Sequence, residues 1–388
     1  MMTMYTRSLV VPERSFFLFG PRGTGKTTWL RQRLPHARWY DLVRDRELLR
    51  LMRQPETFTL EVEAAPADTW IVIDEVQRLP ALLNDVQDLM ARHPRRFRFA
   101  LTGSSARRLR REQANLLAAR VINRRFFPLT SNELGSDFDV GDAIRYGTLP
   151  AVAAADVPTD RVDLLDAYVE NYITQEVRIE AGIKRLDAFA RFLEVASLAN
   201  GQVTNMAGIA RDAAIARPTV QGYFETLVDT LIGSFLPAWR ARAKIKEMAH
   251  PKFYFFDPGV TRAVAGRIRD PVEESEKGPL LGTYVLHELR ARIDSVRAGG
   301  KLAYWRTPSG SEVDFVWTRG RSAVGIEVKA SERWRTEWGS ALRDLIAGGA
   351  LTRAYGIYLG DRRLKDGPID VLPARAFFDR LWHGDVLG

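Results

Sequence analysis

The sequence predicts an α/β protein with more than one domain, and three features of the chain support this. Residues 16–19 form a short apolar run typical of a buried strand, and the glycine-rich segment 20–27 and a helix-forming stretch follow it directly. Residues 70–73 and 97–101 are further apolar runs of strand length, as in a parallel sheet buried on both faces. Residues 312–329 alternate between polar and apolar on both sides of a glycine turn, which predicts a β-hairpin.

Length and composition limit the class of protein. The chain has 388 residues, which suits two or three domains, and 46% of them are hydrophobic, which is enough for sizeable cores. It has no cysteine, so disulfides and thiolate chemistry are excluded, and a reducing compartment fits. No apolar run approaches the roughly 20 residues that span a bilayer, and no signal-peptide core precedes the first strand. We therefore expect a cytoplasmic protein with no membrane partner.

The glycine-rich segment reads GPRGTGKT and matches the phosphate-binding pattern G-x-x-x-x-G-K-[ST] in full. Its glycines let the backbone wrap around an anion with the amide groups pointing inward. Lys26 can reach the β- and γ-phosphates of ATP, and Thr27 can hold Mg²⁺. A chance match in a turn is the alternative, and the strand–loop–helix setting favours ATP. The predicted ATP-binding residues here are Gly20, Pro21, Arg22, Gly23, Thr24, Gly25, Lys26, Thr27 and Thr28.

Two further strand ends carry polar residues suited to nucleotide chemistry. The apolar run WIVI ends in Asp74 and Glu75. Asp74 would hold Mg²⁺ through water, and Glu75 would orient the attacking water. The alternative is a core strand that simply ends at the surface. After the third strand comes TGSS at 102–105, where the hydroxyl of Ser104 could sense the γ-phosphate or could belong to an ordinary polar turn.

Together these motifs make residues 1–135 resemble the AAA+ ATPases. The resemblance implies a parallel sheet flanked by helices, with ATP bound at the strand tips and an arginine that completes hydrolysis. Arg120 matches the position of that arginine, and Arg124 and Arg125 compete for the role. The oligomeric state stays open, with a homo-oligomer as one option.

The charge of the chain points to an acidic partner. The net charge is +9, which favours nucleic acid, and DNA in particular. Ten arginines and a single acid, Glu112, lie between Arg95 and Arg125. Such a run contacts phosphates or is merely a solvated face. The predicted contacts are Arg107, Arg108, Arg110 and Arg111.

The middle of the chain divides into two parts. Residues 136–200 show helical periodicity and predict a linker or lid. Residues 201–264 predict two helices and then two strands that flank the basic stretch 240–246, an order that resembles a winged helix. If it reads DNA, three residues of the second helix would face the major groove: Arg217, Thr219 and Gln221. The alternative is a winged helix that acts as a lid or protein contact.

The hairpin near the carboxyl end carries a second set of chemical groups. Alternation puts Glu312 and Asp314 on one face of the first strand, with Val313 and Phe315 on the other. The second strand puts Glu327 on the same face as Lys329. The hairpin could bring Asp314, Glu327 and Lys329 together. Two carboxylates can bind Mg²⁺ or Mn²⁺, and an ammonium group can hold the attacking water or a phosphate oxygen.

This pattern makes residues 265–388 resemble the PD-(D/E)XK nucleases, which have the restriction-endonuclease-like fold. Asp314 stands for the first acid, 327–329 for the E-x-K, and Glu288, on a predicted helix upstream, for the helical acid. Val313 replaces the usual proline. The resemblance implies metal-dependent DNA cleavage, with Asp314 and Glu327 as metal ligands. The alternative is a half-buried hairpin whose polar face meets water.

The order of an ATPase, a winged helix and a nuclease-like domain resembles a prokaryotic family of AAA-type ATPases with an uncharacterised carboxy-terminal domain. Two functions fit. One is an ATP-driven nucleic-acid enzyme that cleaves DNA. The other is a regulatory ATP switch whose carboxy-terminal part only binds nucleic acid or a protein. A kinase fits less well, because Asp74 and Glu75 suit the activation of water.

Overall fold

The computed structural model describes residues 5–105, 117, 120–177, 182–183, 185–240 and 250–387. The chain forms two compact units. The amino-terminal unit comprises residues 9–128 and 229–231, and the carboxy-terminal unit comprises 1–8, 129–228 and 232–388. In the described ranges, no helix is both long and apolar enough to cross a membrane. The predicted division into 1–135, 136–200, 201–264 and 265–388 stays a prediction.

The amino-terminal unit contains a parallel five-stranded sheet with the order β2-β3-β4-β1-β5. Its strands are β1 Phe16–Phe19, β2 Arg38–Asp41, β3 Thr69–Asp74, β4 Phe97–Gly103 and β5 Ile122–Arg125. Its helices are α1 Lys26–Arg33, α2 Asp45–Arg53, α3 Glu56–Glu63 and α4 Leu82–Arg92, with a 3₁₀ turn at Val76–Arg78. The three strands predicted from the apolar runs are confirmed.

Both faces of this sheet are buried, which explains the continuous apolar runs in the sequence. Ile71 and Ile73 pack with Phe99 in one cluster, and Val72 and Ala100 pack in the cluster on the other face. Since all five strands are parallel, their carboxyl ends meet at one edge. The polar ends of β3 and β4 therefore lie side by side at that edge.

The first part of the carboxy-terminal unit is mainly helical. Its helices are α5 Ser131–Leu134, α6 Val140–Tyr146, α7 Pro150–Ala153, α8 Pro158–Ala167, α9 Leu186–Leu198, α10 Met206–Asp212, α11 Arg217–Asp229 and α12 Pro258–Val264, with a 3₁₀ turn at Gly135–Asp137 and a π-helix at Tyr168–Val177. An antiparallel pair, β6 Gly233–Leu236 and β7 Lys252–Phe255, follows α11. Two helices followed by two strands are present as predicted, whereas their identity as a winged helix stays a prediction.

The second part of this unit is a mixed six-stranded sheet with the order β12-β13-β11-β10-β9-β8. Its strands are β8 Lys301–Arg306, β9 Glu312–Arg319, β10 Ser322–Lys329, β11 Arg353–Tyr358, β12 Leu364–Asp366 and β13 Ile369–Pro373. Its helices are α13 Glu274–Ser295, α14 Ser340–Ala347 and α15 Ala374–His383, with a 3₁₀ turn at Thr336–Gly339. The predicted hairpin is confirmed, because β9 and β10 pair in antiparallel.

A β-bulge in β9 changes the predicted alternation of this hairpin. Ala303 of β8 lies opposite Val316, but Trp305 lies opposite Val313, so β9 has one extra residue in this interval. As a result Val313 packs with Val316 and Trp305, whereas Phe315 packs in the other core cluster. The expectation that Val313 and Phe315 share one face is wrong for this reason.

Candidate functional site

The loop between β1 and α1 has the backbone that its glycines allow. A Cβ on Gly20 would lie 2.3 Å from the carbonyl oxygen of Phe126, so a larger residue does not fit there. Gly23 and Gly25 have φ values of +81° and +91°, in the left-handed region that favours glycine. The loop ends where α1 begins at Lys26.

Lys26 lies at the base of this loop. Its side chain is 5% exposed, and its Nζ donates to the carbonyl oxygens of Gly20 (2.8 Å) and Pro21 (3.1 Å). The Nζ also lies 3.9 Å from Glu75 Oε1. Burial lowers the pKa of Lys26, although Glu75 and Asp74 act in the opposite direction. The loop therefore presents a buried ammonium group beside the two acids.

Asp74 joins the loop to the neighbouring strand. Its Oδ2 accepts a hydrogen bond from Thr27 Oγ1 (2.8 Å), and its Oδ1 accepts one from Thr102 Oγ1 (2.5 Å). Burial raises the pKa of Asp74, while the two hydroxyl donors lower it. A hydroxyl and a carboxylate in contact are the oxygen donors that Mg²⁺ prefers. The described residues therefore fit Mg²⁺, and Thr27 and Asp74 would hold it.

Glu75 ends the strand with a left-handed backbone, at φ +56°. Its Oε2 accepts hydrogen bonds from Ser104 Oγ (2.8 Å), Ser104 N (3.2 Å) and Gln77 Nε2. Burial raises the pKa of Glu75, but Lys26 and these donors outweigh it and hold the pKa below its usual value. The hydroxyl of Ser104 donates to Glu75, and contact of Ser104 with the γ-phosphate stays a prediction. No role was predicted for Gln77, because the sequence shows only a polar residue two positions after Glu75.

Several other predicted residues of this unit have exposed side chains. Arg22 and Thr28 are exposed. Arg120 is also exposed, and its Nη1 donates to the carbonyl oxygen of Gln87 (3.4 Å). In the described part of the unit, no hydrogen bond or ion pair joins Arg120 to the loop, Asp74 or Glu75. Four arginines predicted to contact nucleic acid lie outside the described residues: Arg107, Arg108, Arg110 and Arg111.

In the carboxy-terminal unit, the hairpin brings Asp314, Glu327 and Lys329 together as expected from their spacing. Lys329 Nζ lies 2.5 Å from Glu327 Oε1. The pairing of β9 with β10 ends at Phe315 opposite Ile326. Beyond that pair Asp314 Oδ2 accepts the hydrogen bond of Val328 N (2.9 Å). Asp314 thus lies where the two strands separate.

A second lysine belongs to this cluster and was missed in the sequence. Lys252 begins β7, its side chain is 5% exposed, and it forms an ion pair with Glu312. Its Nζ lies 3.8 Å from Asp314 Oδ1. Arg306 Nη1 lies 3.3 Å from Glu312 Oε2. The only signal for Lys252 was a lysine at the start of an apolar run, which says nothing about its partners.

The acids of this cluster are paired with these cations. Burial, together with Asp314, raises the pKa of Glu327 to about 8. Burial lowers the pKa of Lys329, but Glu327 and Asp314 outweigh it, so the pKa rises. In the described ranges, no group of three or more acidic, histidine or cysteine side chains is placed to hold a metal ion. The second Mg²⁺ or Mn²⁺ expected at Asp314 and Glu327 is therefore unsupported.

Glu288 does not belong to this cluster, contrary to the prediction. It is fully buried on α13, where its Oε1 accepts hydrogen bonds from Ser131 N (2.6 Å) and Tyr284 Oη (2.7 Å). Its Oε2 accepts one from Trp382 Nε1 (2.6 Å). Among the described residues, no hydrogen bond or electrostatic interaction joins Glu288 to Asp314 or Glu327. Its carboxylate instead links α13 to α5 and α15.

The helix predicted to read DNA has an exposed polar face. Arg217 and Gln221 of α11 are exposed, whereas Thr219 is half-buried. Gln221 Nε2 donates to Glu225 Oε1 (3.1 Å), so an acid follows on the same face. A carboxylate there would repel phosphate, and this face alone gives little support to DNA contact.

Comparison with protein families assigns three parts of the chain. Residues 12–135 match the model of an AAA domain, which confirms the resemblance to AAA ATPases for the part that holds the phosphate loop. Residues 137–270 and 277–377 match two domains of unknown function, DUF8612 and DUF4143. The nuclease-like fold is not confirmed by these matches.

Individual relatives add little on function. The uncharacterized proteins Rv2008c of Mycobacterium tuberculosis and Mb2031c of Mycobacterium bovis are each 29% identical over 304 residues, and each match covers 76% of this chain. The chain spans 65% of the length of these curated relatives.

Among solved structures, the ORC2 protein of Aeropyrum pernix in its ADP form matches 66% of this chain and 89% of its own, with 10% identity and a TM-score of 0.33. The ORC1 protein of the same organism in complex with DNA matches 66% and 87%, with 14% identity and a TM-score of 0.26. Such scores are too low to carry an argument.

Proposed function

We propose that the chain is an Mg²⁺-dependent ATPase that acts as a regulatory switch. The observation that carries this proposal is the contact of Thr27 with Asp74. It places the hydroxyl of the phosphate loop against the acid of the neighbouring strand, as a shared Mg²⁺ would require. The AAA match over 12–135 supports the same function.

Each group at this site has a role in hydrolysis. The loop amides and the Lys26 ammonium group hold the β- and γ-phosphates. When bound, Mg²⁺ supplies charge neutralisation at the phosphate oxygens. Glu75 accepts the proton of the attacking water, and its lowered pKa keeps it ionised near neutral pH.

The test is the steady-state hydrolysis of Mg²⁺–ATP by the full chain. Glu75→Gln keeps the shape of the side chain and should lower kcat by about 10²-fold or more, because a general base contributes that much. Binding of ATP should persist. The matched control is Glu56→Gln, at an exposed position on α3, which should hydrolyse ATP at the wild-type rate. Equal rates in Glu75→Gln and wild type would refute the role of Glu75.

For the carboxy-terminal unit, the proposal is binding of nucleic acid or a protein partner, controlled by the nucleotide. The net charge of +9 supports an acidic partner. Lys252 and Lys329 already pair with the acids of the hairpin, and this favours binding over metal-dependent chemistry.

Cleavage of DNA is the second candidate. One observation favours it, namely that Asp314, Glu327 and Lys329 lie together as in the PD-(D/E)XK pattern. Incubation of the full chain with plasmid and Mg²⁺ or Mn²⁺, with and without ATP, decides between the two. Binding alone predicts intact plasmid. Cleavage that is lost in Lys329→Met but kept in Lys365→Met, at an exposed lysine, would establish the nuclease.

A further inference from the structure

We infer that Gln77 is a positioning residue that determines which oxygen of Glu75 takes the proton during hydrolysis. This inference rests on the proposed ATPase function and concerns a residue for which the sequence suggested no role. Gln77 and Ser104 hold Oε2, and the proton goes to Oε1.

The two oxygens of Glu75 have different surroundings. Oε2 accepts from Gln77 Nε2, from Ser104 Oγ at 2.8 Å and from Ser104 N at 3.2 Å. A carboxylate oxygen has about two lone-pair sites, so three donors use its capacity in full. Oε1 faces Lys26 Nζ at 3.9 Å, beyond hydrogen-bond distance. Among the described residues, Oε1 therefore retains the capacity to accept a proton from water.

Gln77 is well suited to hold this arrangement. It lies in the 3₁₀ turn Val76–Arg78 and is 6% exposed. Besides its bond to Glu75, its Nε2 donates to Ser104 Oγ at 3.1 Å, so both amide protons are used. A Cβ on Gly103 would lie 3.0 Å from Gln77 Oε1, which shows how closely the end of β4 approaches the amide.

The chemistry follows from this asymmetry. The water oxygen forms a bond to the γ-phosphorus, and the bond from that phosphorus to the β,γ-bridging oxygen breaks, with its electron pair leaving on ADP. The water proton passes to Glu75 Oε1 and later returns to solvent. Donation by Gln77 stabilises the ionised carboxylate and fixes its plane. Without Gln77 the carboxylate can turn, and Oε1 is no longer held in a fixed direction.

The experiment compares kcat and KM of the full chain and of Gln77→Met, which keeps the length of the side chain and removes the amide. Loss of a hydrogen bond to a charged group lowers a rate by roughly 10- to 100-fold when the bond acts in the transition state. We therefore expect kcat to fall by at least about tenfold, while KM for ATP stays within about twofold. Gln54→Met, at an exposed position after α2, is the control and should match the wild type.

A double variant separates positioning from structural damage. If Gln77 acts through Glu75, Gln77→Met should slow the Glu75→Gln enzyme by less than about twofold. A tenfold further loss in that background, or an unchanged kcat in the single variant, overturns the inference. In the latter case a slow Glu75→Gln enzyme leaves the ATPase proposal intact. A wild-type chain that does not hydrolyse ATP overturns both.

Discussion

The ammonium group of Lys252, at the start of β7, forms an ion pair with Glu312 of β9 and lies 3.8 Å from Asp314 Oδ1. The antiparallel pair β6–β7 thus contributes a buried cation to the cluster of Glu312, Asp314 and Glu327 on the six-stranded sheet. This cation replaces part of the positive charge that a metal would provide. It also links two regions that the sequence assigned to separate domains.

Loss of this cation should destabilise the carboxy-terminal unit. Lys252→Met keeps the aliphatic stem but leaves Glu312 and Asp314 with one positive partner fewer. Removing one member of a buried ion pair costs roughly 3 kcal/mol, so the free energy of unfolding should fall by about that amount. Urea unfolding followed by tryptophan fluorescence measures this change.

Arg306→Met is the matched control for this prediction. Arg306 pairs with the same Glu312 at 3.3 Å, but its side chain is 39% exposed, and solvent screens such pairs. The expected change is below about 1 kcal/mol. Equal losses in the two variants would show that burial of Lys252 adds nothing to its ion pair.

Binding of ATP should depend on Lys26. Lys26→Ala removes the ammonium group that lies beneath the loop, and a hydrogen bond to a charged group is worth about 1.5–3 kcal/mol. Calorimetry should therefore show ATP affinity lower by roughly 10- to 100-fold. Arg33→Ala, at an exposed position at the end of α1, is the control and should bind normally. If Lys26→Ala binds ATP with wild-type affinity, the loop is not part of the nucleotide site.

Arg120 should act on ATP bound by a second copy of the chain. It is exposed and makes no hydrogen bond or ion pair with the loop of its own described unit. Arg120→Ala and Glu75→Gln should each hydrolyse ATP about 10²-fold or more slowly than the wild type when alone. In an equal mixture, each head-to-tail contact takes Glu75 from one copy and Arg120 from the next, and each of these residues is intact in half of the copies. About a quarter of the contacts therefore have both residues intact, so the mixture should recover about a quarter of the wild-type rate. If the mixture recovers no activity, Arg120 does not act on ATP that a second copy binds.

The sequence predicted local features well. The loop at 20–27, the end of β3 and the pairing of β9 with β10 depend on neighbouring residues, so periodicity and motif spacing were enough to place them. Thr27 and Asp74 were each predicted to hold Mg²⁺, and their side chains are in contact where the loop meets the carboxyl end of β3.

Contacts between distant segments were not predictable in this way. Gln77 and Glu75 meet Ser104 only because β3 and β4 are neighbours in the sheet, and Lys252 meets Glu312 across 60 positions. Glu288 was misplaced because a helical period fixes which face a residue occupies but not what covers it. Its partners Ser131 and Trp382 lie 157 and 94 positions away.

Any binding of DNA should be steeply dependent on salt, with weak sequence preference. Each neutralised phosphate contributes about 0.9 to the slope of log K against log salt concentration. The test variant changes four arginines to alanine: Arg107, Arg108, Arg110 and Arg111. A control of equal charge changes four exposed arginines of the carboxy-terminal unit: Arg333, Arg335, Arg362 and Arg363. Fluorescence anisotropy should show a smaller slope of log K against log salt concentration only in the test variant. If the two variants have equal slopes, the arginine-rich segment is a solvated surface that does not contact DNA.

Acid should destabilise the carboxy-terminal unit through His287. This side chain is buried on α13, and its Nε2 donates to the carbonyl oxygen of Leu129 at 3.1 Å. Burial lowers its pKa to about 4 from an ordinary value of 6.5. Since the unfolded chain binds the proton more readily, stability is fully present above pH 6.5 and is lost as the pH falls through 4. Between pH 7 and pH 4 the wild type should lose about 3 kcal/mol more free energy of unfolding than His287→Gln, which retains a donor for Leu129. Equal losses in urea unfolding of the two proteins would show that His287 is not held neutral.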